Sequence, residues 1–166
     1  LRDPKLYFNR ELGQLDFNFR VLAQAQDPQV PLLERLRYLC ISCTNLDEFF
    51  EIRAGTMRHA QDLGLAAGPD GLSPATVLAR IHDRAAELVQ AQYECWNQVL
   101  RPALGEAGVR VLARDAWTDP QTQWLRQYFR DEIMPVLSPL GLDPAHPFPK
   151  ILNKSLNIVV VLKGKD

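Results

Sequence analysis

Apolar residues recur at three- and four-residue steps through most of the first hundred positions, which predicts a series of amphipathic helices. The first stripe lies in residues 6–26 and consists of Leu12, Leu15, Phe19 and Leu22. Asp27 and Pro28 follow it. Proline cannot continue a helical hydrogen-bond ladder and restricts the residue before it, so we predict that this helix ends at Gln26.

A second helix is predicted to begin at Pro31, because proline suits the first position of a helix. Its apolar stripe is expected to contain Leu32, Leu36, Leu39 or Cys40, and Cys43. Arg35 and Arg37 are expected on other faces. This helix either runs on into the next stretch or breaks near residues 42–44 and restarts. Thr44 with Asp47 three residues on has the spacing of a capping box, so we favour a break or kink there, with a restart that runs to about residue 62.

The restarted stretch, residues 44–53 (TNLDEFFEIR), combines an apolar arc with one arginine. At 100° per residue, one arc holds Leu46, Phe49, Phe50 and Met57, which we expect in the core. Arg53 falls in the middle of that arc. Arginine is rarely buried without a partner, so Arg53 either extends outward to solvent or meets an anion, and we favour a carboxylate or the end of a neighbouring helix beside it. The unpaired N–H groups of a helix start could also hold a phosphate, although the pattern alone favours a structural helix.

A long helix is predicted after residue 73, where Ser73 can cap and Pro74 can occupy the first position. Its stripe runs through Val77, Ile81, Ala85, Leu88, Gln92, Cys95 and Val99. Gln92 is the single polar member. Pro102, Gly105 and Gly108 mark its end.

The pattern changes after residue 108. Residues 109–112 and 155–163 have strand character, a helix is predicted to start at residues 118–120, and prolines punctuate residues 135–149. A two-stranded sheet is marginal alone, which indicates that the chain stops inside a domain. We therefore predict a mainly α protein. Residues 1–107 are expected to form a helical bundle with one long helix, and residues 108–166 the beginning of an α/β domain.

Composition narrows the function classes. The chain has 166 residues, 46% of them hydrophobic, and a net charge of −1, so no global basic field favours nucleic acid or an anionic membrane. No apolar run approaches the ~20 residues of a membrane span. Three cysteines, an odd number, fit a reducing compartment. We predict a cytoplasmic protein without a transmembrane segment.

No complete catalytic or metal site is evident in the sequence. Cys40 and Cys43 have CxxC spacing and with Cys95 could suggest zinc, but their place on the apolar stripe favours buried structural thiols. The histidines, His59, His82 and His146, have no metal-binding spacing and are expected to be solvated or capping. No phosphate-binding loop or nucleophile elbow is found.

Three stretches together resemble the N-terminal part of bacterial polyphosphate kinases. They are residues 7–18 (YFNRELGQLDFN), residues 31–36 (PLLERL) followed by residues 45–53 (NLDEFFEIR), and residues 147–157 (PFPKILNKSLN). One departure is Gly13-Gln14, where most members have serine-tryptophan. It affects the expected local packing of the first helix more than the function.

The resemblance implies that the parent enzyme transfers the terminal phosphate of ATP reversibly to polyphosphate with Mg²⁺, through a histidine in a C-terminal domain outside this chain. It implies no catalytic residue and no Mg²⁺ ligand here, and an isolated chain without kinase activity. Asn45 is the residue implied to contact ATP. A homo-oligomer is implied, and peripheral attachment to the inner membrane is left open. The alternatives are a ligand-free helical interaction module, in which Asn45 only caps a helix, and a zinc-binding regulatory domain on Cys40 and Cys43.

Overall fold

The computed structural model of the chain describes residues 3–142, 145, 147–152 and 154–163. The chain divides into two compact units, one up to Leu112 and one from Ala113 onward. All regular structure in the described residues is helical, which confirms the prediction of a mainly α protein. The predicted boundary after residue 107 stays a prediction.

The first unit is built from two long helical runs and one shorter helix. Its helices are α1 (Arg10–Gln26), α2 (Leu32–Glu48), α3 (Gly55–Asp62), α4 (Pro74–Glu94) and α5 (Arg101–Glu106). A π-helical turn, Phe49–Ala54, joins α2 to α3, and another, Cys95–Leu100, joins α4 to α5. The chain is therefore continuously helical from Leu32 to Asp62 and again from Pro74 to Glu106.

Helix α1 packs against α2 and α4, and α3 packs against α4. The core between them consists of Leu15, Leu22, Ala25, Leu39, Leu46, Phe49, Val77, Ile81, Ala85, Leu88, Cys95 and Leu100. At the edge of this core the guanidinium of Arg84 lies 3.8 Å from the ring centroid of Phe19 and pairs with Asp16 at 2.8 Å. These contacts join α4 to α1.

The starts of α1 and α4 are fixed by side-chain caps. The Asn9 Oδ1 accepts from the N–H of Leu12, so α1 begins at Arg10 rather than at residue 6. The predicted cap at Ser73 is confirmed by the bond from the Thr76 N–H to its Oγ. The Asn9 Nδ2 also donates to Asp70 at 2.7 Å, and this bond is the main cause of a lowered pKa at Asp70. The loop before α4 is thereby tied to the start of α1.

The predicted break near residues 42–44 is wrong. Thr44 and Asp47 lie inside α2, where the backbone N–H groups that a cap would satisfy are already bonded within the helix. The helix continues because the residues that follow Ser42 still supply buried positions, Leu46 and Phe49. A phosphate-binding helix start at this place is excluded for the same reason.

The π-helical turns explain two misplaced side chains. In a π turn residue i+5 stacks over residue i, one residue later than in an α-helix. Ala54 therefore takes the inner position after Phe49, and Arg53 is exposed without an ion pair or side-chain hydrogen bond in the described part of the chain. The expected partner for Arg53 is thus wrong.

The same shift occurs in the long helix. The predicted stripe is buried from Val77 through Cys95, but Leu100 is 0% exposed whereas Val99 is 39% exposed. The prediction holds up to Cys95, the first residue of the π turn, and is off by one residue at the end of that turn.

The buried face of α2 is rotated from the predicted stripe. Its buried members are Arg35, Leu39, Ser42 and Leu46, and Cys40 and Cys43 are exposed, so the prediction of two buried structural thiols is wrong. The Arg35 Nε donates to the carbonyl of Ala25 at 2.9 Å. That carbonyl lies in the last turn of α1 and has no partner within its helix. This pairing turns Arg35 inward and rotates the face with it.

The residues of the apolar arc that were expected in the core differ in their burial. Leu46 and Phe49 are buried as predicted, whereas Phe50 is 45% exposed. Met57 is partly buried and packs against the core. Gly13 stands where most polyphosphate kinases resembling this sequence have serine. A Cβ added at Gly13 would have no atom within 4 Å, so a serine would fit there.

The second unit contains α6 (Asp119–Tyr128), which continues as a π turn over Phe129–Ile133. Thr118 and Gln121 form the capping box that begins it, as its predicted start requires. Neither residues 109–112 nor residues 155–163 form a strand. A strand needs a hydrogen-bonding neighbour, and no other strand is found among the described residues. No described helix is long and apolar enough to cross a membrane.

The shifted stripe predicts different costs for two neighbouring truncations. Leu100→Ala should lower the free energy of unfolding by about 2–5 kcal/mol, because it leaves a cavity in the core. Val99→Ala should lower it by less than about 1 kcal/mol, because its side chain already meets solvent. Urea unfolding of both variants checks this, and equal losses would contradict the π-turn register.

The inward arginine predicts a second contrasting pair. Arg35→Met keeps most of the side-chain volume but leaves the Ala25 carbonyl without its donor, so we expect a loss of about 1–3 kcal/mol. Arg37→Met is the matched control, because Arg37 is 72% exposed and its pair with Glu34 spans 3.7 Å. Its change should stay within about 0.5 kcal/mol. Thermal unfolding measures both, and a silent Arg35→Met would refute the role of this bond.

Candidate functional site

Asn45 lies well inside α2, on the side that faces α1. Its side chain is partly exposed, and its Nδ2 donates a long hydrogen bond of 3.4 Å to the Oδ1 of Asn18 on α1. Because Asn45 is not at a helix start, the alternative in which it only caps a helix is wrong. Its place at the α1–α2 contact makes it the solvent-side end of a buried set of polar side chains.

Asn18 is the central member of that set. It is 3% exposed, and its Nδ2 donates to the backbone carbonyl of Ser42 at 2.9 Å. A carbonyl oxygen can only accept, so the amide nitrogen of Asn18 must face Ser42. The Oδ1 of Asn18 is thereby directed to Asn45.

Ser42 and Gln92 complete the set on the inner side. The Nε2 of Gln92 on α4 donates to the Oγ of Ser42 at 2.8 Å, and the two residues are 7% and 0% exposed. We call Asn18, Ser42, Asn45 and Gln92 the polar cluster. No buried side-chain nitrogen or oxygen in the described part of the chain lacks a hydrogen-bond partner. Within the described structure, every fully buried side-chain nitrogen or oxygen of the polar cluster therefore has a hydrogen-bond partner.

Sequence reasoning identified Asn45 and noted Gln92, but missed Asn18 and Ser42. The missing signal was available, because each of these residues occupies a buried position of an apolar stripe. Asn18 lies between Leu15 and Leu22, and Ser42 lies between Leu39 and Leu46. Small polar residues at stripe positions of two helices that are expected to pack together indicate a buried hydrogen bond between them.

The other sequence-predicted candidates do not join the polar cluster. His59 and His82 are exposed, in agreement with the solvated role expected for them, and His146 lies outside the described residues. Partial burial raises the pKa of the Cys43 thiol, with smaller contributions from Cys40 and Asp47. Burial also raises the pKa of Cys95, against the opposing charge of Arg35. Raised thiol pKa values disfavour the thiolates that zinc binding needs.

No metal site accompanies the cysteines. Within the described ranges, no group of three or more His, Cys, Asp or Glu side chains could hold a metal ion. In the part of the chain that the structure describes, the zinc alternative is therefore supported by two neighbouring thiols without a third ligand.

The second unit carries an open apolar groove of its own. Its volume is 790 Å³, and it is lined by Arg114, Trp117, Thr122, Leu125, Arg126, Tyr128, Phe129, Arg130, Ile133 and Met134. Trp124 and Tyr128 stack with ring centroids 5.2 Å apart on the same helix. None of the sequence-predicted site residues lines this groove.

Comparison with known proteins identifies the family. A family model described as the polyphosphate kinase N-terminal domain matches residues 7–112. The chain belongs to the polyphosphate kinase family. A second model, described as the polyphosphate kinase middle domain, matches residues 120–166. The family resemblance seen in the sequence is thus confirmed.

Individual polyphosphate kinases support the assignment. One from Xylella fastidiosa is 70% identical over 165 residues, which are 99% of this chain and 24% of the relative. One from Burkholderia cenocepacia is 55% identical over 159 residues, or 95% of this chain and 23% of the relative. The crystal structure of polyphosphate kinase from Porphyromonas gingivalis matches with a TM-score of 0.73 at 26% identity, over 87% of this chain and 20% of that chain. The chain spans about a quarter of the length of the curated polyphosphate kinases it matches.

The matched regions include the polar cluster. Asn18, Ser42, Asn45 and Gln92 all lie within the part matched to the polyphosphate kinase N-terminal domain. The stretch of residues 147–157 falls in the middle-domain match, and its Asn153 lies outside the described residues.

Proposed function

We propose that this chain is the N-terminal part of an enzyme that reversibly transfers the terminal phosphate of ATP to polyphosphate. In this proposal the phosphate passes through a histidine located outside the chain, and Asn45 contributes to the ATP pocket. The family match over residues 7–112 carries the proposal.

The surroundings of Asn45 support a ligand-contact role. It is the only partly exposed member of the polar cluster, whereas the other three members are buried. Its Oδ1 has no hydrogen-bond partner among the described residues and can accept from a ligand. A polar atom on a rigid helix, held from behind by buried partners, is the arrangement that binding sites require.

In this proposal the described residues bind and orient the nucleotide, and the chemistry of phosphoryl transfer is placed outside the chain. That reaction depends on charge positioned around the moving phosphate, which Mg²⁺ and basic side chains supply in kinases. The described residues contain no set of ligands for a metal ion. Mg²⁺ is therefore assigned to no residue here, and dependence on it stays a prediction from the family resemblance.

A contact between subunits is the remaining part of the proposal. Several large apolar side chains of the first unit are exposed, such as Phe8 at 96% and Tyr93 at 64%. Exposed apolar side chains also favour the second candidate function, a ligand-free helical module for interaction or oligomerisation. The response of ATP kinetics to changes at Asn45 separates the two functions.

Asn45→Ala in the full-length protein should raise the KM for ATP roughly tenfold with little change in kcat. The variant loses one hydrogen bond to the ligand, and the Oδ1 of Asn18 loses the donor that Asn45 supplied. Thr44→Ala is the matched control, because Thr44 is the neighbouring, exposed residue of the same helix and is outside the polar cluster. It should leave the KM unchanged. Steady-state kinetics measure both, and an unchanged KM in Asn45→Ala would favour the ligand-free module.

The isolated chain should synthesise no polyphosphate from ATP, because the reacting histidine is proposed to lie outside it. Incubation of the purified chain with ATP and Mg²⁺, followed by detection of polymer, measures this. Polymer formation by the isolated chain would refute the placement of the histidine.

A further inference from the structure

We propose that Asn18 is a positioning residue for Asn45, because it holds the Asn45 amide in the one orientation that presents its Oδ1 to the nucleotide. The proposal rests on the proposed function, in which Asn45 contacts ATP. It adds a residue that the family resemblance did not supply. Asn18 lies on a different helix, 27 residues away in sequence.

The orientation of Asn18 follows from its inner partner. Its Nδ2 is 2.9 Å from the carbonyl oxygen of Ser42, which has no proton to give. If the amide were reversed, two oxygens would face each other at that distance in a site that is 3% exposed. An unpaired polar atom in such a site is strongly disfavoured, so the amide of Asn18 has a single orientation.

The orientation of Asn18 then determines that of Asn45. With the Oδ1 of Asn18 directed outward, Asn45 must present its Nδ2 to make the 3.4 Å hydrogen bond. A reversed Asn45 would bring two oxygens together. The Oδ1 of Asn45 is consequently the acceptor left for a ligand, and the site is prepared to accept a hydrogen bond from an N–H or O–H of the nucleotide.

The support behind Asn18 is rigid. The Ser42 carbonyl belongs to the backbone of α2, three residues before Asn45 on the same helix. The side chain of Ser42 is fixed as well, because its Oγ accepts a hydrogen bond from the Nε2 of Gln92. Asn18 therefore bridges two points of α2 about one turn apart, and it cannot move without breaking the bond to one of them.

Two substitutions separate positioning from simple stability. Asn18→Leu keeps the branched shape of the side chain but offers no acceptor to Asn45, so the KM for ATP should rise by about two- to tenfold at constant kcat. Asn18→Asp keeps an oxygen that accepts from Asn45 but loses the amide donor to Ser42. It should lower the melting temperature while the KM stays within about twofold of the parent.

Ile81→Val is the matched control for stability. Ile81 is 1% exposed in the same core, its apolar side chain forms no hydrogen bond to the polar cluster, and its truncation costs about 0.5–1.5 kcal/mol. It should lower the melting temperature and leave the KM unchanged. All variants are made in the full-length protein, with thermal unfolding, steady-state kinetics and titration with a non-hydrolysable ATP analogue as readouts.

The outcomes distinguish this inference from the proposed function. An increase in KM that follows the melting temperature across Asn18→Leu, Asn18→Asp and Ile81→Val would overturn the positioning role, and so would an unchanged KM in Asn18→Leu. The proposed function fails separately, if Asn45→Ala leaves the KM unchanged. If Asn18 acts through Asn45, Asn18→Leu raises the KM in the parent but not in an Asn45→Ala background. A further increase in that background would also count against the inference.

Discussion

The hydrogen bond from the Asn18 amide to the backbone carbonyl of Ser42 is the constraint on which the first unit depends. A buried amide has to be paired, and this one can be paired only when α1 and α2 lie in one register. A slip of α1 by one residue would replace Asn18 at this position with an aromatic neighbour, Phe17 or Phe19. The polar group would then be buried without a partner, at a cost of about 1–3 kcal/mol.

A second bond fixes the same register independently. Arg35 donates to Ala25, seven residues beyond Asn18 on α1, and Arg35 lies seven residues before Ser42 on α2. Two pairs with equal spacing on both helices define an antiparallel arrangement over about two turns. Apolar contacts alone are tolerant of small displacements. The two polar pairs fix the register of α1 and α2, because a hydrogen bond depends on direction and contacts between leucines do not.

Periodicity predicted the parts of the fold in which helical geometry is regular. The buried positions of α4 from Val77 to Cys95 follow from three- and four-residue steps, and Ser73 and Thr118 are recognisable caps. The prediction failed within the π turns Phe49–Ala54 and Cys95–Leu100, since no sequence signal indicates the extra residue in a π turn. It also failed at Thr44, because a capping pair has the same spacing whether or not the backbone N–H groups near it are free.

The candidate site was predictable only in part, for a different reason. Asn45 was found through its family motif. Asn18 and Ser42 could have been noticed as polar residues at stripe positions, but that they pair with each other required knowledge of which helices pack together. Residues 155–163 alternate as a strand would, but alternation describes a face and cannot supply the neighbouring strand that completes the hydrogen bonds. Which helices and strands pack side by side depends on the whole fold, so it cannot be predicted from the sequence of one segment alone.

The position of Asn45 at the outer end of a buried cluster connects the stability of the first unit to its proposed binding role. An exposed asparagine rotates freely and presents oxygen or nitrogen with equal ease, so a ligand must first order it. Here the ordering has already occurred during folding, because the Asn18 amide has one acceptable orientation and Asn45 follows it. Binding a ligand that donates to Asn45 therefore costs less side-chain conformational entropy than it would at an asparagine that is free to rotate. The polar residues that specify how α1 and α2 pack are, on this account, the ones that prepare the contact with the nucleotide.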